Sequence, residues 1–334
     1  MSPFAALPAP SRELRIEGLA LGHGGDPVAA TGVTVLLCPE GAVAAAEVRG
    51  TATGTRQFDS LVNPLHLATR SHALVFAGGS GAGLAAADAV VEHLAGRGAG
   101  FDTGVARVPL VPTAILFDLA VGQPVAPGRP QVEQAIAQAL ASEGGGPIAT
   151  GNVGVGTGAT VGKVLGLDRA MKGGVGFSSL TVPGGITVAA LAAVNAFGDV
   201  RDPANGELVA GCRVAPEGLE LADAARVLAA LPPQSVHRWE QNTTLVAVLT
   251  DAELTKGECL KVCQMAFGGL YRTLSPALSL YDGDLVVTFA LGRRPAHVHQ
   301  VGVLAEHAVT AAILSGVRDA VALPGLPAAR DLVR

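Results

Sequence analysis

A layered α+β fold is predicted by the order of the segments, because strand-like and helix-like stretches come in groups rather than in strict alternation, which disfavours a doubly wound parallel sheet. Composition describes the core of such a fold. Apolar residues make up 49% of the chain, aromatics only 4%, and there are 44 glycines, so the interior must be built from Ala, Val and Leu packed closely with many glycine turns. No internal repeat is present, and 334 residues suffice for one large domain or two ordinary ones.

In chain order, residues 1–13 read as a flexible N-terminal arm and residues 14–334 as a single domain. Leu14–Leu21 and Gly32–Cys38 read as strands, and Asp59–Leu67 as a short helix. Ala73–Ala77 is a short apolar strand that runs into the glycine cluster Gly78–Gly83, after which a helix passes through Leu84, Asp88, Val91 and Leu94 to Gly96. Val111–Leu119 is apolar, and Gln131–Ser142 reads as a helix stopped by glycines. From Ala149 the texture changes: Gly151 to Lys163 carries glycine at nearly every second position. Gly173–Val182 and Ile186–Phe197 read as two strands joined at Pro183-Gly184-Gly185. Asp199–Gly211 reads as a polar loop, Leu221–Leu231 as a helix, and Pro232–Gln241 as an exposed linker. Thr243–Thr250 is a strand, and Thr255-Lys256-Gly257-Glu258 has the form of a capping box opening a helix to about Gly268. Asp282-Gly283-Asp284 opens a strand over Leu285–Leu291, and a last helix spans about Ala296–Leu314.

Charge excludes several classes of function. A net charge of −5 without Lys/Arg runs gives no footprint for nucleic acid and none for an anionic membrane surface. The N-terminus lacks a basic start and is broken by Pro3, Pro8 and Pro10, unlike a signal peptide, and no uninterrupted apolar stretch approaches the roughly 20 residues of a membrane span. Cys38, Cys212, Cys259 and Cys263 complete no zinc pattern with histidine and read as small buried thiols of a reducing compartment. A cytoplasmic location is expected.

The glycine clusters match no phosphate-binding motif. Gly162-Lys163 is followed by Val164, and Thr157 stands where a P-loop needs its first glycine. Gly78–Gly83 forms neither G-x-G-x-x-G nor a G-x-S-x-G elbow around Ser80. What these runs do indicate is close approach of backbone, either to a ligand or to a neighbouring strand.

The Asn242–Thr243 bond carries the chemical signal, because a polar segment ends there and an apolar, β-branched run begins with a hydroxyl residue. If that bond breaks, Thr243 holds a free α-amine beside its own hydroxyl and becomes a nucleophile with a built-in base. The plainer alternative is that Thr243 and Thr244 merely open a buried strand. Possible partners exist elsewhere. Asp282 and Asp284 form a carboxylate pair, Lys163 ends the glycine run, and Asn195 is a lone amide in an apolar strand, where an unpaired polar side chain would be costly. Each also has an ordinary reading, as a turn, a solvated lysine and a turn asparagine respectively.

Taken together, several long segments in order resemble the P1-family peptidases, the group containing the D-aminopeptidase DmpA, the β-peptidyl aminopeptidases and the nylon-oligomer hydrolases. The resemblance runs from about Gly54 to Ala312. It is carried by Gly78-Gly79-Ser80 through Asp88, Val111–Asp118, Gly151–Lys163, Val194–Val200, Asn242-Thr243-Thr244 and Asp282-Gly283-Asp284. It implies a four-layer αββα sandwich cleaved by itself into residues 1–242 and 243–334, with no cofactor and no metal. It further implies a small amide or peptide substrate and a homo-oligomer, a tetramer of αβ units. Among the implied site residues Thr243 is the nucleophile, Asp282 and Asp284 activate it, Lys163 and Asn195 support it, and Phe117, Gly156 and Gly158 adjoin the substrate. The threonine version with Asp-Gly-Asp resembles the 6-aminohexanoate-oligomer endohydrolases more than the serine aminopeptidases. Phe117 stands where some relatives place a tyrosine, so a hydroxyl is missing there.

Overall fold

The computed structural model describes residues 7–143, 145–232 and 242–332. Its centre is a nine-stranded mixed sheet. The strands are β1 (Ala20–Asp26), β2 (Thr31–Val48), β3 (Gly54–Arg56), β4 (Arg70–Ala77), β5 (Thr113–Ile115), β6 (Gly174–Thr181), β7 (Thr187–Asn195), β8 (Thr243–Glu253) and β9 (Leu285–Pro295). Their order is β6-β7-β8-β9-β2-β4-β5-β3, with β1 also paired to β2. All neighbours are antiparallel except β8–β9 and β4–β5.

The long strand β2 belongs to two parts of this sheet. Its first half pairs with β1 and β4, its second half with β9, and the register shifts between Leu37 and Ala42. The exposed Pro39 and Glu40 and the left-handed Gly41 (φ 76°) lie at that shift, where a proline without N–H and a glycine interrupt the ladder.

Six helices accompany the sheet: α1 (Asp59–Val62), α2 (Ala86–Ala95), α3 (Arg129–Ala141), α4 (Ala224–Ala230), α5 (Lys256–Thr273) and α6 (Val298–Arg318). Strand alternation sorts the apolar side chains into separate cores. Val246, Val248, Val286 and Ala290 pack with Phe267, Leu270, Leu304 and Val309 of α5 and α6. The intervening residues Leu245, Ala247, Leu285 and Phe289 instead join Leu36, Leu74 and Phe76 of β2 and β4 in a second core built mainly of strand residues. The opposite faces of β2 and β4, through Val33, Val35 and Val75, meet Val90 and Leu94 of α2 and Val132 and Ile136 of α3. Helix α6 is long and apolar enough to cross a membrane by length and composition, but its apolar residues from Val301 to Val317 are spent in the first of these cores.

Several expected elements shift. Leu14–Leu21 is not one strand: Glu13–Leu14 pairs with Gly146–Pro147, and β1 begins only at Ala20. The described end of the N-terminal arm is tied down, with Ser11 and Ser179 exchanging two 2.8 Å backbone hydrogen bonds. Asp199–Gly211 is a hairpin, Asp199–Arg201 paired with Leu208–Ala210, rather than a loop without structure. Of the expected linker, Pro233–Gln241 lie outside the described residues. The capping box at Thr255 is formed, with Thr255 accepting from the Glu258 N–H and Glu258 from the Thr255 N–H.

Glycine lets helices lie against strands. A Cβ on Gly176 of β6 would fall 1.9 Å from the Ala312 carbonyl of α6, and one on Gly24 of β1 would fall 1.8 Å from the Gln131 carbonyl of α3. Gly176→Ala should therefore lower stability by about 1–3 kcal/mol, the usual cost of overpacking. Gly257→Ala, where no heavy atom lies within 4 Å, should be neutral or stabilising by up to about 1 kcal/mol through helix propensity. Thermal melts of the two variants beside the parent decide this; equal melting temperatures would remove the close-packing account.

Candidate active site

Strand β8 enters the sheet at Thr243, between β7 and the start of β9. Its antiparallel register with β7 sets Thr243 opposite Asn195. Alternation puts both on the face of Leu245 and Ala193, which belong to the second core. The parallel register with β9 begins at Leu245 and Leu285, and a further bridge joins Asn242 to Asp282. Three segments distant in sequence thus meet at one end of β8.

The peptide group before Thr243 is held on both sides. The Asn242 N–H donates to the Tyr281 carbonyl at 2.9 Å, and the Asn242 carbonyl accepts from the Gly283 N–H at 2.7 Å. The Thr243 hydroxyl donates to that same Asn242 carbonyl. Asn242 and Thr243 are buried, so this carbonyl meets its donors away from bulk water. Gly283 has to be glycine here, since a Cβ on it would lie 2.8 Å from the Thr243 hydroxyl and 2.9 Å from the Ala52 carbonyl.

The Asp-Gly-Asp segment is not a solvated turn. Asp282 and Asp284 are both 1% exposed. Asp282 Oδ1 accepts from the Phe197 N–H at 3.1 Å and Oδ2 from the Ser279 N–H at 2.8 Å. Asp284 Oδ1 accepts from the Thr244 N–H at 2.6 Å, and its backbone carbonyl takes the N–H groups of Arg49 and Gly50. Both carboxyls are raised above the ordinary aspartate range. Burial is the largest cause for each; for Asp284 the Asp282 charge adds to it, while Lys163 draws Asp282 back down. Each carboxyl therefore holds its proton more readily than an exposed aspartate does.

Lys163 and Asn195 form the third wall. Lys163 is buried, with Nζ donating to the Asn195 carbonyl at 3.0 Å and to its Oδ1 at 2.9 Å. Asn195 Oδ1 also accepts from the Thr160 N–H at 3.0 Å, and Nδ2 donates to the Phe117 carbonyl at 3.1 Å. Asn195 ends β7 rather than making a turn, and its amide is satisfied as burial demands. Phe117 reaches the site through its carbonyl; its half-buried ring lines a narrow pocket with Val121, Thr160, Lys163 and Leu167.

Gly156 and Gly158, the two glycines expected to adjoin a substrate, are buried, and a Cβ on them would lie 2.2 Å from the Val175 nitrogen and 2.0 Å from the Ala30 carbonyl. The absence of side chains there lets the glycine run pack against β6 and the Ala29–Ala30 turn. Ser80, at φ 53°, begins a 3-10 turn after the left-handed Gly79. The four cysteines are free and buried, and burial raises every thiol, Cys212 to about 11 and Cys38 and Cys263 to about 12. Among the described residues no group of three or more His, Cys, Asp or Glu side chains could hold a metal ion.

Sequence reasoning missed three features. The Gly283 N–H has no side-chain signal. Asp118, buried, sits in the segment Val111–Leu119 read as apolar, and Lys172, also buried, lies between the segments Gly151–Lys163 and Gly173–Val182, in a stretch that carried no signal. Asp118 accepts from Thr31 Oγ1 and the Gly79 N–H, each at 2.7 Å, and burial raises it to about 6. Lys172 is lowered to about 7, by burial above all.

Comparison with known proteins identifies the family in which this buried polar constellation, at one end of a mixed sheet, occurs. Residues 15–330 match Peptidase family S58, and the chain belongs to that family. It is 38% identical over 326 residues to an uncharacterized aminopeptidase of Mycobacterium tuberculosis, covering 91% of this chain and 90% of the relative. It is 29% identical over 280 residues to the 6-aminohexanoate-oligomer endohydrolase of Paenarthrobacter ureafaciens, covering 80% and 71%. In fold it is similar to a Burkholderia β-aminopeptidase, with TM-score 0.63 and 20% identity over 94% of this chain and 90% of that one. The L-aminopeptidase D-Ala-esterase/amidase of Ochrobactrum anthropi, described as a variant of the Ntn hydrolase fold, gives TM-score 0.64 at 18% identity, covering 95% and 89%.

Asp282→Asn and Asp284→Asn should each slow cleavage of the Asn242–Thr243 bond or amide turnover by about 10²-fold or more, the scale of general acid–base help. Time courses on denaturing gels and rates on already cleaved protein measure the two effects. Unchanged rates in both variants would take the pair out of the chemistry.

Proposed function

We propose that the protein is a self-processing N-terminal-threonine amidohydrolase acting on short oligoamides or peptides through an acyl-enzyme. The observation that carries this reading is the buried Asn242 carbonyl held at 2.7 Å by the Gly283 N–H with the Thr243 hydroxyl against it. In the first stage Thr243 Oγ1 attacks the Asn242 carbonyl carbon. The negative charge that develops on oxygen falls on the Gly283 N–H, a donor already in place. On collapse the C–N bond breaks, the Thr243 nitrogen takes up the proton that its hydroxyl gave up on attack, and water then hydrolyses the resulting ester, leaving a carboxyl on Asn242 and the hydroxyl on Thr243. The fragments are 1–242 and 243–334. They remain together because β8 is paired along both edges, with β7 and β9.

In the second stage the freed Thr243 α-amine serves as base. Such amines titrate near 7.7–8.0, close to working pH. Thr243 Oγ1 attacks a substrate amide, the leaving amine takes a proton, and water releases the acyl group. A protonated member of the Asp282/Asp284 pair holds the proton inventory of the site, while the ionised member orients the Thr243 ammonium. Lys163 and Asn195 carry the positive charge and the amide dipole on the opposite side. No step of this scheme needs a cofactor. The three cores support the αββα layering of DmpA-type enzymes for the described residues from Leu14 onward, read as one domain.

Two substrate readings remain distinct. Threonine with Asp-Gly-Asp and the 29% relative favour endo-cleavage of linear oligoamides; the 38% relative favours removal of N-terminal residues. Alanine p-nitroanilide and a linear 6-aminohexanoate oligomer, each with product analysis, separate them.

Intact mass spectrometry of the purified chain should find a fragment beginning at Thr243, 92 of 334 residues (334 − 242). Thr243→Ala should stay as one chain and lose amide turnover while keeping its fold, and Thr243→Ser should still cleave, at a different rate. A parent protein that turns over amides with only the Met1 terminus present, or an alanine variant with parental activity, would overturn the proposal.

A further inference from the structure

Lys172 is 0% exposed, and its ammonium faces main-chain oxygens. Nζ donates to the Gly156 carbonyl at 2.8 Å, to Ala159 at 2.8 Å and to Gly173 at 3.0 Å. Three donors meet three acceptors, so each N–H of the ammonium is used. Two of the acceptors lie in the glycine run that ends in Lys163, and the third lies at the start of β6 beneath it. That run delivers the Thr160 N–H and Lys163 Nζ to Asn195, the residue opposite Thr243. We infer that Lys172 is a positioning residue for the Thr243 reaction, a buried cation that pins the glycine run to β6 and so sets Lys163 and Asn195 beside the nucleophile; this rests on the function proposed above.

The glycines make the arrangement possible. A Cβ on Gly156 would strike the Val175 nitrogen at 2.2 Å, and one on Gly173 the Val194 carbonyl at 2.1 Å, so the run could not approach β6 and β7 with side chains. Without the ammonium, the Gly156, Ala159 and Gly173 carbonyls would lose a donor in a site closed to water. The charged groups that act on Lys172 are Asp118, which favours the ammonium, and Lys163, which opposes it; burial opposes it most. Asp118 is wedged between the glycine clusters, since a Cβ on Gly78 would meet its Oδ2 at 2.1 Å and one on Gly158 its Cβ at 2.7 Å. The two glycine runs that match no phosphate-binding motif thus surround a buried carboxyl and a buried ammonium.

Self-cleavage tests this without a chosen substrate. Full-length chains made by cell-free synthesis are followed on denaturing gels, with Thr243→Ala as the uncleaved reference and circular dichroism as the check on folding. Lys172→Met should fold and cleave about 10-fold or more slowly, as expected when a supporting group is displaced by a fraction of an ångström to an ångström. In the double variant with Lys163→Met the two losses should combine to less than their product, because Lys172 acts in part through Lys163. A folded Lys172→Met that cleaves at the parental rate, or losses that multiply in the double variant, would overturn the inference. If Lys172→Met does not fold, Asp118→Asn decides. It keeps the side-chain shape and removes the charge that favours the ammonium, so its cleavage relative to parent should fall by about 3-fold or more between pH 6 and pH 8, as the ammonium gives up its proton earlier; a constant ratio would overturn the inference. A parent chain that never cleaves would instead sink the Thr243 reading itself.

Discussion

Everything at the candidate site depends on where β8 is inserted in the sheet. It lies between an antiparallel neighbour, β7, and a parallel one, β9. The antiparallel partner brings its last residue, Asn195, opposite Thr243. The parallel partner brings its first turn, Asp282-Gly283-Asp284, to the same end. A parallel pair starts its two strands side by side, so the segment leading into β9 necessarily lies beside the segment leading into β8. The Gly283 N–H meets the Asn242 carbonyl for this reason, and two side chains 39 residues apart, Thr243 and Asp282, come to share one site (282 − 243).

Burial then supplies the chemistry. The site places Asp282, Asp284, Lys163, Asn195, Asn242 and Thr243 where water is excluded. Charged groups in such a place are costly unless they are hydrogen-bonded and balanced. Backbone N–H groups meet the two carboxyls, and carbonyls meet the two lysines. The remaining cost appears as carboxyls raised and Lys172 lowered from their ordinary values. A set of donors fixed by main chain needs little rearrangement when charge develops, and this is the usual source of electrostatic catalysis.

Membership of Peptidase family S58 and similarity to aminopeptidases and to a 6-aminohexanoate-oligomer endohydrolase fit a shared reaction on an amide bond with divergent substrates. The chemistry lies in strand termini and their main chain, which a fold preserves. The outer wall near Phe117 is made of side chains, where Phe117, Val121 and Leu167 give an apolar lining.

Much was legible in the sequence itself. The apolar β-branched run after Thr243 determined a buried strand, Thr255 and Glu258 determined a capped helix, and Pro183-Gly184-Gly185 determined the hairpin of β6 and β7. These are local signals, set by periodicity, capping and turn chemistry within a few residues. The ordered motifs also picked out Thr243, Asp282, Asp284, Lys163 and Asn195. Tertiary structure alone decided what surrounds each of them. Asp-Gly-Asp has the sequence of a solvated turn and is buried; Lys163 has the sequence of a surface lysine and is bonded to Asn195. Gly156 and Gly158, read as neighbours of a substrate, pack against backbone. The Gly283 donor and the Lys172 peg left no sequence signal, because one is a main-chain N–H and the other gains its partners from carbonyls 13 and 16 residues away. Burial and long-range register are properties of the assembled sheet, and no local pattern of residue types encodes them.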